Sequence, residues 1–136
     1  MYLLDTDFLI DLIRGKRRAV ELARRIEEEK AYVAISAITV HEYFLGVYLS
    51  YWDNEEKLRE KLKIAELGLA RLDVLPFDDR VARKSAEIAA YLSKKGEPVG
   101  LADTIIAATA LTYNLELVTR NVKHFSRVPE LRIVPY

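Results

Sequence analysis

Asp5, Glu42 and Asp103 stand out among the 21 aspartates and glutamates of this chain by the company they keep. Asp5 closes a short apolar run, Tyr2-Leu3-Leu4, where a turn or capping role competes with a catalytic one. Glu42 has Ile38, Leu45 and Leu49 as same-face neighbours one turn away, which argues against a fully solvated glutamate. Asp103 lies near the start of the apolar stretch Leu101 to Tyr113 and can either cap a helix beginning at Thr104 or serve a site. Carboxylates forced together without counter-charge repel and raise one another's pKa. A hard divalent cation relieves the repulsion, because Mg²⁺ or Mn²⁺ prefers carboxylate oxygens and keeps several waters. Such an ion acidifies a bound water and binds the charged oxygens of a phosphodiester. The chemistry these acids imply is therefore phosphoryl-transfer hydrolysis, with one acid of the cluster taking the proton of the attacking water.

That chemistry requires the three acids to meet. The run from Gly100 to Phe125 supplies much of the means: a helix apolar around nearly its whole circumference, buried on most sides, which turns at Asn114 into a strand, Glu116 to Thr119. The strand ends in the polar turn Arg120-Asn121. Earlier in the chain, Tyr2 to Leu4 reads as a first strand ending at Asp5, with Thr6 and Asp7 capping a helix, Phe8 to Ile13, that stops at Gly15. A charged helix then runs to about Glu29 with Val20, Ala23 and Ile26 as its inward stripe. Tyr32 to Ile35 predicts a strand, and Ser36 caps a helix from Ala37 to about Tyr51. Asp53 or Asn54 starts another helix, whose Leu58, Leu62, Ala65, Leu69 and Leu72 repeat with a seven-residue rhythm. Asp73 to Leu75 is a short strand stopped by Pro76. Asp78 caps a helix lined by Val81, Ser85, Ile88 and Leu92 and ended by Gly96, and Leu131 to Val134 is a fifth strand.

Strands alternating with helices predict a three-layer α/β sandwich, a five-stranded, mainly parallel twisted sheet flanked by helices, in one domain over residues 1–136. Chemistry in such sheets gathers beyond the C-terminal strand ends, where strand order reverses. Asp5 and Asn121 both follow strands there, Asp103 starts the helix leading into the second of them, and Glu42 sits early in the helix after another.

Composition narrows the class further. The 136 residues are 51% hydrophobic, enough for a full core, and carry no net charge, which excludes a strongly basic nucleic-acid binder. A polyanion would be held by local patches or through metal ions. Arg14 with Lys16, Arg17 and Arg18, and Arg120 with Lys123 and His124, are the candidate RNA contacts. His41 and His124 have no metal-ligand spacing, and neither is assigned a catalytic role. With no cysteine there is neither a disulfide frame nor a thiolate metal site, which fits a reducing, cytoplasmic setting. Asp5, Asp7 and Asp11 interrupt the apolar start before a signal-peptide core forms, and no run reaches membrane-spanning length. Absent Gln, three Asn and one Met beside many Lys, Arg and Glu point toward heat adaptation. Tyr43, Phe44, Val47, Tyr48, Tyr51 and Trp52 form an aromatic band, part core and part predicted contact surface for a dimer or a partner.

Four stretches in order resemble the PIN-domain ribonucleases, above all the VapC-type toxins of toxin–antitoxin pairs. They are Leu4-Asp5-Thr6-Asp7 with its apolar tail, Ser36 to Thr39 leading to Glu42 and Gly46, Asp103 before Ile106-Ala107-Ala108, and Leu117 to Asn121 leading to Phe125. The resemblance implies a Mg²⁺- or Mn²⁺-dependent endoribonuclease, a homodimer, and inhibition by a small cognate antitoxin. Carried over by position, it makes Asp5, Glu42 and Asp103 the metal-binding and catalytic acids, with Thr6 in support and Thr119 steadying Asp5. Asn121 stands where many relatives have Asp, which removes one negative charge, and Asp7 either restores part of that charge or caps the helix.

Two other readings compete. Asp5-Thr6-Asp7 after a strand also resembles the first motif of haloacid-dehalogenase-like phosphatases, whose first aspartate is a nucleophile. Thr119-Arg120-Asn121 does not supply the later acidic pair of that family. A catalytically inert module binding RNA or protein on the same fold is the third reading, against which the presence of all three acids weighs.

Overall fold

The computed structural model describes all 136 residues. Five strands form one sheet: β1 (Tyr2–Leu4), β2 (Val33–Ser36), β3 (Asp73–Leu75), β4 (Glu116–Thr119) and β5 (Ile133–Pro135). Their spatial order is β3-β2-β1-β4-β5, and every neighbouring pair is parallel. The order reverses between β1 and β4, where Tyr2, Leu3 and Leu4 register with Glu116, Leu117 and Val118. A parallel sheet buried on both faces needs near-continuous apolar strands, which these supply.

Side chains alternate across the sheet and divide the core in two. Leu3, Ala34 and Leu117 join Val81, Ile88 and Leu92 of α5 (Asp79–Lys94) and the buried run Ile105–Ala108 of α6 (Leu101–Thr112) on one side. Leu4, Ile35 and Val118 meet Phe8 of α1 (Thr6–Ile13) and Ala19, Leu22 and Ile26 of α2 (Arg17–Glu28) on the other. Burying each Leu, Ile or Phe contributes about 1.5–3 kcal/mol. A smaller cluster of Leu9, Tyr43 and Ala65 ties α3 (Ala37–Tyr51) and α4 (Glu55–Leu69) to α1. At Gly68 an added Cβ would meet Ile13 at 3.5 Å, so α4 passes close to the end of α1.

Several expectations shift by local detail. Ala19 and Leu22, not Val20 and Ala23, join Ile26 as the buried residues of α2, packing with Leu4, Phe8 and Ile35. The cap of α1 is Asp5, whose carboxylate accepts the Thr6 N–H; Thr6 and Asp7 lie inside the helix. Gly100 precedes α6, so Asp103 occupies the first helical turn and is not its cap. β2 and β5 begin one and two residues later than predicted, and a short helix, α7 (Val122–Phe125), follows the Arg120-Asn121 turn.

Candidate active site

Asp5 leaves β1 at the point where the sheet reverses and is only 4% exposed. Its carboxylate accepts the Thr6 N–H at 2.8 Å and the Thr119 hydroxyl, from the end of β4, at 2.7 Å. Burial pushes its pKa from the usual 3.8 up to about 6. The nearby Asp7 and Asp103 push in the same direction, while the bonds from Thr119 and Thr6 oppose it. Parallel pairing of β1 with β4 is what brings Thr119 to Asp5 across 114 residues of sequence.

Glu42 reaches the same place from α3. Its Oε1 accepts the Thr6 hydroxyl at 2.7 Å, and Thr39 Oγ1, fully buried one turn earlier, lies 3.0 Å from Thr6 Oγ1. A hydroxyl has one proton; Thr6 gives it to the carboxylate and accepts the proton of Thr39. Thr6 therefore links the side of Asp5 to Glu42. Asp103 enters from the first turn of α6, and its pKa is raised by burial, then by the charges of Glu42 and Asp7, with His124 opposing. Asp5, Glu42 and Asp103 have no lysine or arginine partner among the ion pairs of the fold.

The remaining candidates fall in two groups. Asp7, half-exposed, stands 3.9 Å from Arg120 Nη2. Arg120 Nη1 donates to Asp11 Oδ2 at 3.0 Å, and the Tyr136 hydroxyl donates to the same oxygen at 2.8 Å. The Tyr136 ring meets Phe8 edge-on at 4.9 Å, so the guanidinium beside the acids is held by a buried anchor. Asn121 donates its backbone N–H to Thr119 Oγ1 at 3.0 Å. Its side-chain amide lies 3.0 Å from His124 Nδ1. Arg14, Lys16 and Arg17 lie around the α1–α2 turn, with Arg17 paired to Glu21, and Lys123 is exposed on α7.

Sequence reasoning gave no role to Thr39 or to Asp11 with Tyr136, and took His124 only as an RNA contact. Only Thr39 carried a signal, since it lies three residues before Glu42 on one helical face. As placed, no three acids or histidines stand near enough together to grip one ion. The donor set nonetheless fits Mg²⁺ or Mn²⁺: carboxylate oxygens, desolvated, mutually repelling and free of counter-ions. Mg²⁺ commonly takes one or two carboxylates directly and completes its shell with water and substrate phosphate.

In a doubly wound α/β protein such a switch point is where ligands bind, and here it is lined by acids without a lysine or arginine partner. The chain is a member of the PIN-domain family, whose model matches residues 2–131. It is 34% identical to ribonuclease VapC2 of Haemophilus influenzae over 96% of this chain and 94% of that one. It is 33% identical to the tRNA(fMet)-specific endonuclease VapC of Salmonella typhimurium, covering 97% and 95%. Among solved structures, the DNA-bound VapBC of Salmonella typhimurium superposes with a TM-score of 0.85 at 31% identity, covering 98% of this chain and 96% of the other. No helix is long and apolar enough to cross a membrane.

Proposed function

We propose that this chain is an endoribonuclease toxin that hydrolyses RNA phosphodiesters with Mg²⁺ or Mn²⁺ and is restrained by a cognate antitoxin. The observation that carries this reading is the buried Asp5 carboxylate at the β1–β4 switch point, which feels the charge of Asp103 as Asp103 feels that of Glu42, with no lysine or arginine ion-paired to any of the three. Relatives named as VapC ribonucleases, and the likeness to VapBC complexes, support both the substrate class and the antitoxin. Residues 1–136 act as one nuclease domain, and an RNA substrate sets the activity in the cytoplasm.

Asp5, Glu42 and Asp103 would hold the metal, directly or through water. When bound, it supplies a nucleophile at neutral pH and offsets the charge on the phosphate. Thr119 and the Thr6 N–H fix the orientation of Asp5, and Thr6 fixes Glu42. A carboxylate of the cluster accepts the proton of the attacking water. Arg120, pinned by Asp11, gives a positioned cation beside the acids for a backbone phosphate. Lys123, Arg14, Lys16 and Arg17 extend that path as unspecific phosphate contacts. Asp5 is poorly disposed to be a phosphatase nucleophile, because it is buried and each of its oxygens already accepts a hydrogen bond.

Incubating the protein with total RNA in Mg²⁺ or Mn²⁺ tests the reading. Discrete cleavage is expected from the wild type, with a loss of at least about 100-fold in Asp5→Asn and Asp103→Asn, and none in EDTA. Cleavage indifferent to chelator and to both substitutions would refute it.

A further inference from the structure

We propose that His124 donates the proton to the leaving oxygen when the phosphodiester is cut; the role rests on the nuclease reading above. The imidazole is tied to the acids by a chain of hydrogen bonds. Thr119 donates to Asp5 at 2.7 Å, the Asn121 N–H donates to Thr119 at 3.0 Å, and the Asn121 amide meets His124 Nδ1 at 3.0 Å. The four-residue helix α7 turns the ring back toward Asn121, the residue that leaves β4. With Nδ1 occupied, Nε2 is the atom left free on an exposed ring. The amide of Asn121 can serve both charge states, presenting its oxygen to the Nδ1–H of imidazolium and its NH₂ to the bare nitrogen of the neutral ring. The ring is also close enough to Asp103 to oppose the rise in that carboxyl's pKa.

The other groups at the site do not suit the task. The Thr6 and Thr119 hydroxyls already donate to Glu42 and Asp5. Arg120 is already bound to Asp11 at 3.0 Å and stands beside Asp7. Asp5 and Asp103 are given to the metal and to the attacking water, which leaves the imidazole of His124 as the group on this side free to hand over a proton.

The step balances as follows. The water oxygen bonds to phosphorus and its proton passes to a cluster carboxylate. The bond from phosphorus to the leaving ribose oxygen breaks, its electron pair stays on that oxygen, and the Nε2 proton of the imidazolium moves there. His124 is left neutral and regains a proton from solvent.

A substrate whose leaving atom needs no proton isolates this role. The RNA cut site is first mapped, then rebuilt with sulfur in place of the bridging leaving oxygen, and cleavage is followed in Mn²⁺. His124→Gln should lose about 100-fold in kcat on the oxygen substrate with KM within about twofold, yet lie within about threefold of wild type on the sulfur one. Asn121→Ala should lose about 10-fold on oxygen and recover likewise on sulfur. Equal losses on both substrates, or no loss on oxygen, would overturn the proposal. Asp5→Asn serves as the reference: if it cleaves as well as wild type, the nuclease reading fails and this role fails with it.

Discussion

Thr119 is the residue through which the site can be adjusted most finely. Its hydroxyl gives Asp5 a charge-assisted bond of 2.7 Å in a place where neither group meets water. Valine has the same shape without the hydroxyl, so Thr119→Val removes its hydrogen bonds at nearly constant volume. Hydrogen bonds to charged groups contribute about 1.5–3 kcal/mol, and the variant also strips the Asn121 N–H of its acceptor. The Asp5 pKa, already about 6, should rise further, and the acidic limb of the pH–rate profile should move up with it. A profile that stays in place would mean that Asp5 does not limit activity on that side. Thr119→Ser, which keeps the hydroxyl, should restore the limb. Asp5 and Asn121 stood out because each follows a strand, a feature fixed by local pattern, and Thr119, the last residue of β4, came from the family resemblance. The sequence offered His124 only as an RNA contact, because the residue's further standing comes from an amide three residues back and from a helix too short to carry periodicity.

The elements that hold the site are legible to different depths, and the reason is burial. β3, β4 and α3 match their predicted bounds because alternation, Pro76, and the Ser36 cap are local signals. The stripe of α2 was displaced because choosing between Ala19 and Val20 depends on distance to the sheet, which no single helix encodes. The aromatic band divides: Tyr43 is core, whereas Tyr48 and Trp52 are exposed. Leu45, Leu49 and Trp52 follow one another at four and three residues, forming one ridge of α3, with Leu49 71% and Trp52 70% exposed. The chain exposes 8517 Å², against about 7,300 Å² for a compact monomer of this mass. We propose this apolar ridge as the contact surface for a second copy of the chain. Leu49→Glu combined with Trp52→Glu should convert a dimer to a monomer in sedimentation velocity while leaving Tm within about 2 °C, as exposed positions do. An unchanged sedimentation coefficient would place the dimer contact elsewhere.

At the scale of the whole molecule, stability and function pull against each other through the acids. Asp5 titrates at 3.8 when unperturbed and at about 6 in the fold, so the folded state binds its proton more tightly. That preference stabilises the protein fully below pH 4 and is lost as pH rises through 6; Asp103 shifts in the same direction. At pH 7.5 without metal, Asp5 alone costs the fold roughly 3 kcal/mol relative to its protonated form, at 1.36 kcal/mol for each pH unit of displacement. About 1.4 kcal/mol of this preference remains at pH 5 and almost none at pH 7.5, so in EDTA Tm should fall by about 5 °C between the two, and Asp5→Asn should flatten the fall. Mg²⁺ or Mn²⁺ at a hundred times its Kd would return about 2.7 kcal/mol at pH 7.5 and much less at pH 5, where protons hold the carboxylates. Asp5→Asn should lose most of that gain. Calorimetry at the two pH values, with and without the ion, separates the cases. A Tm in EDTA that does not fall with pH, together with no gain from metal at pH 7.5, would mean the acids are not the shared binding site of proton and cation. A fall reversed by the cation would show the protein at its least stable where its acids are charged and ready, with the ion it uses restoring the fold.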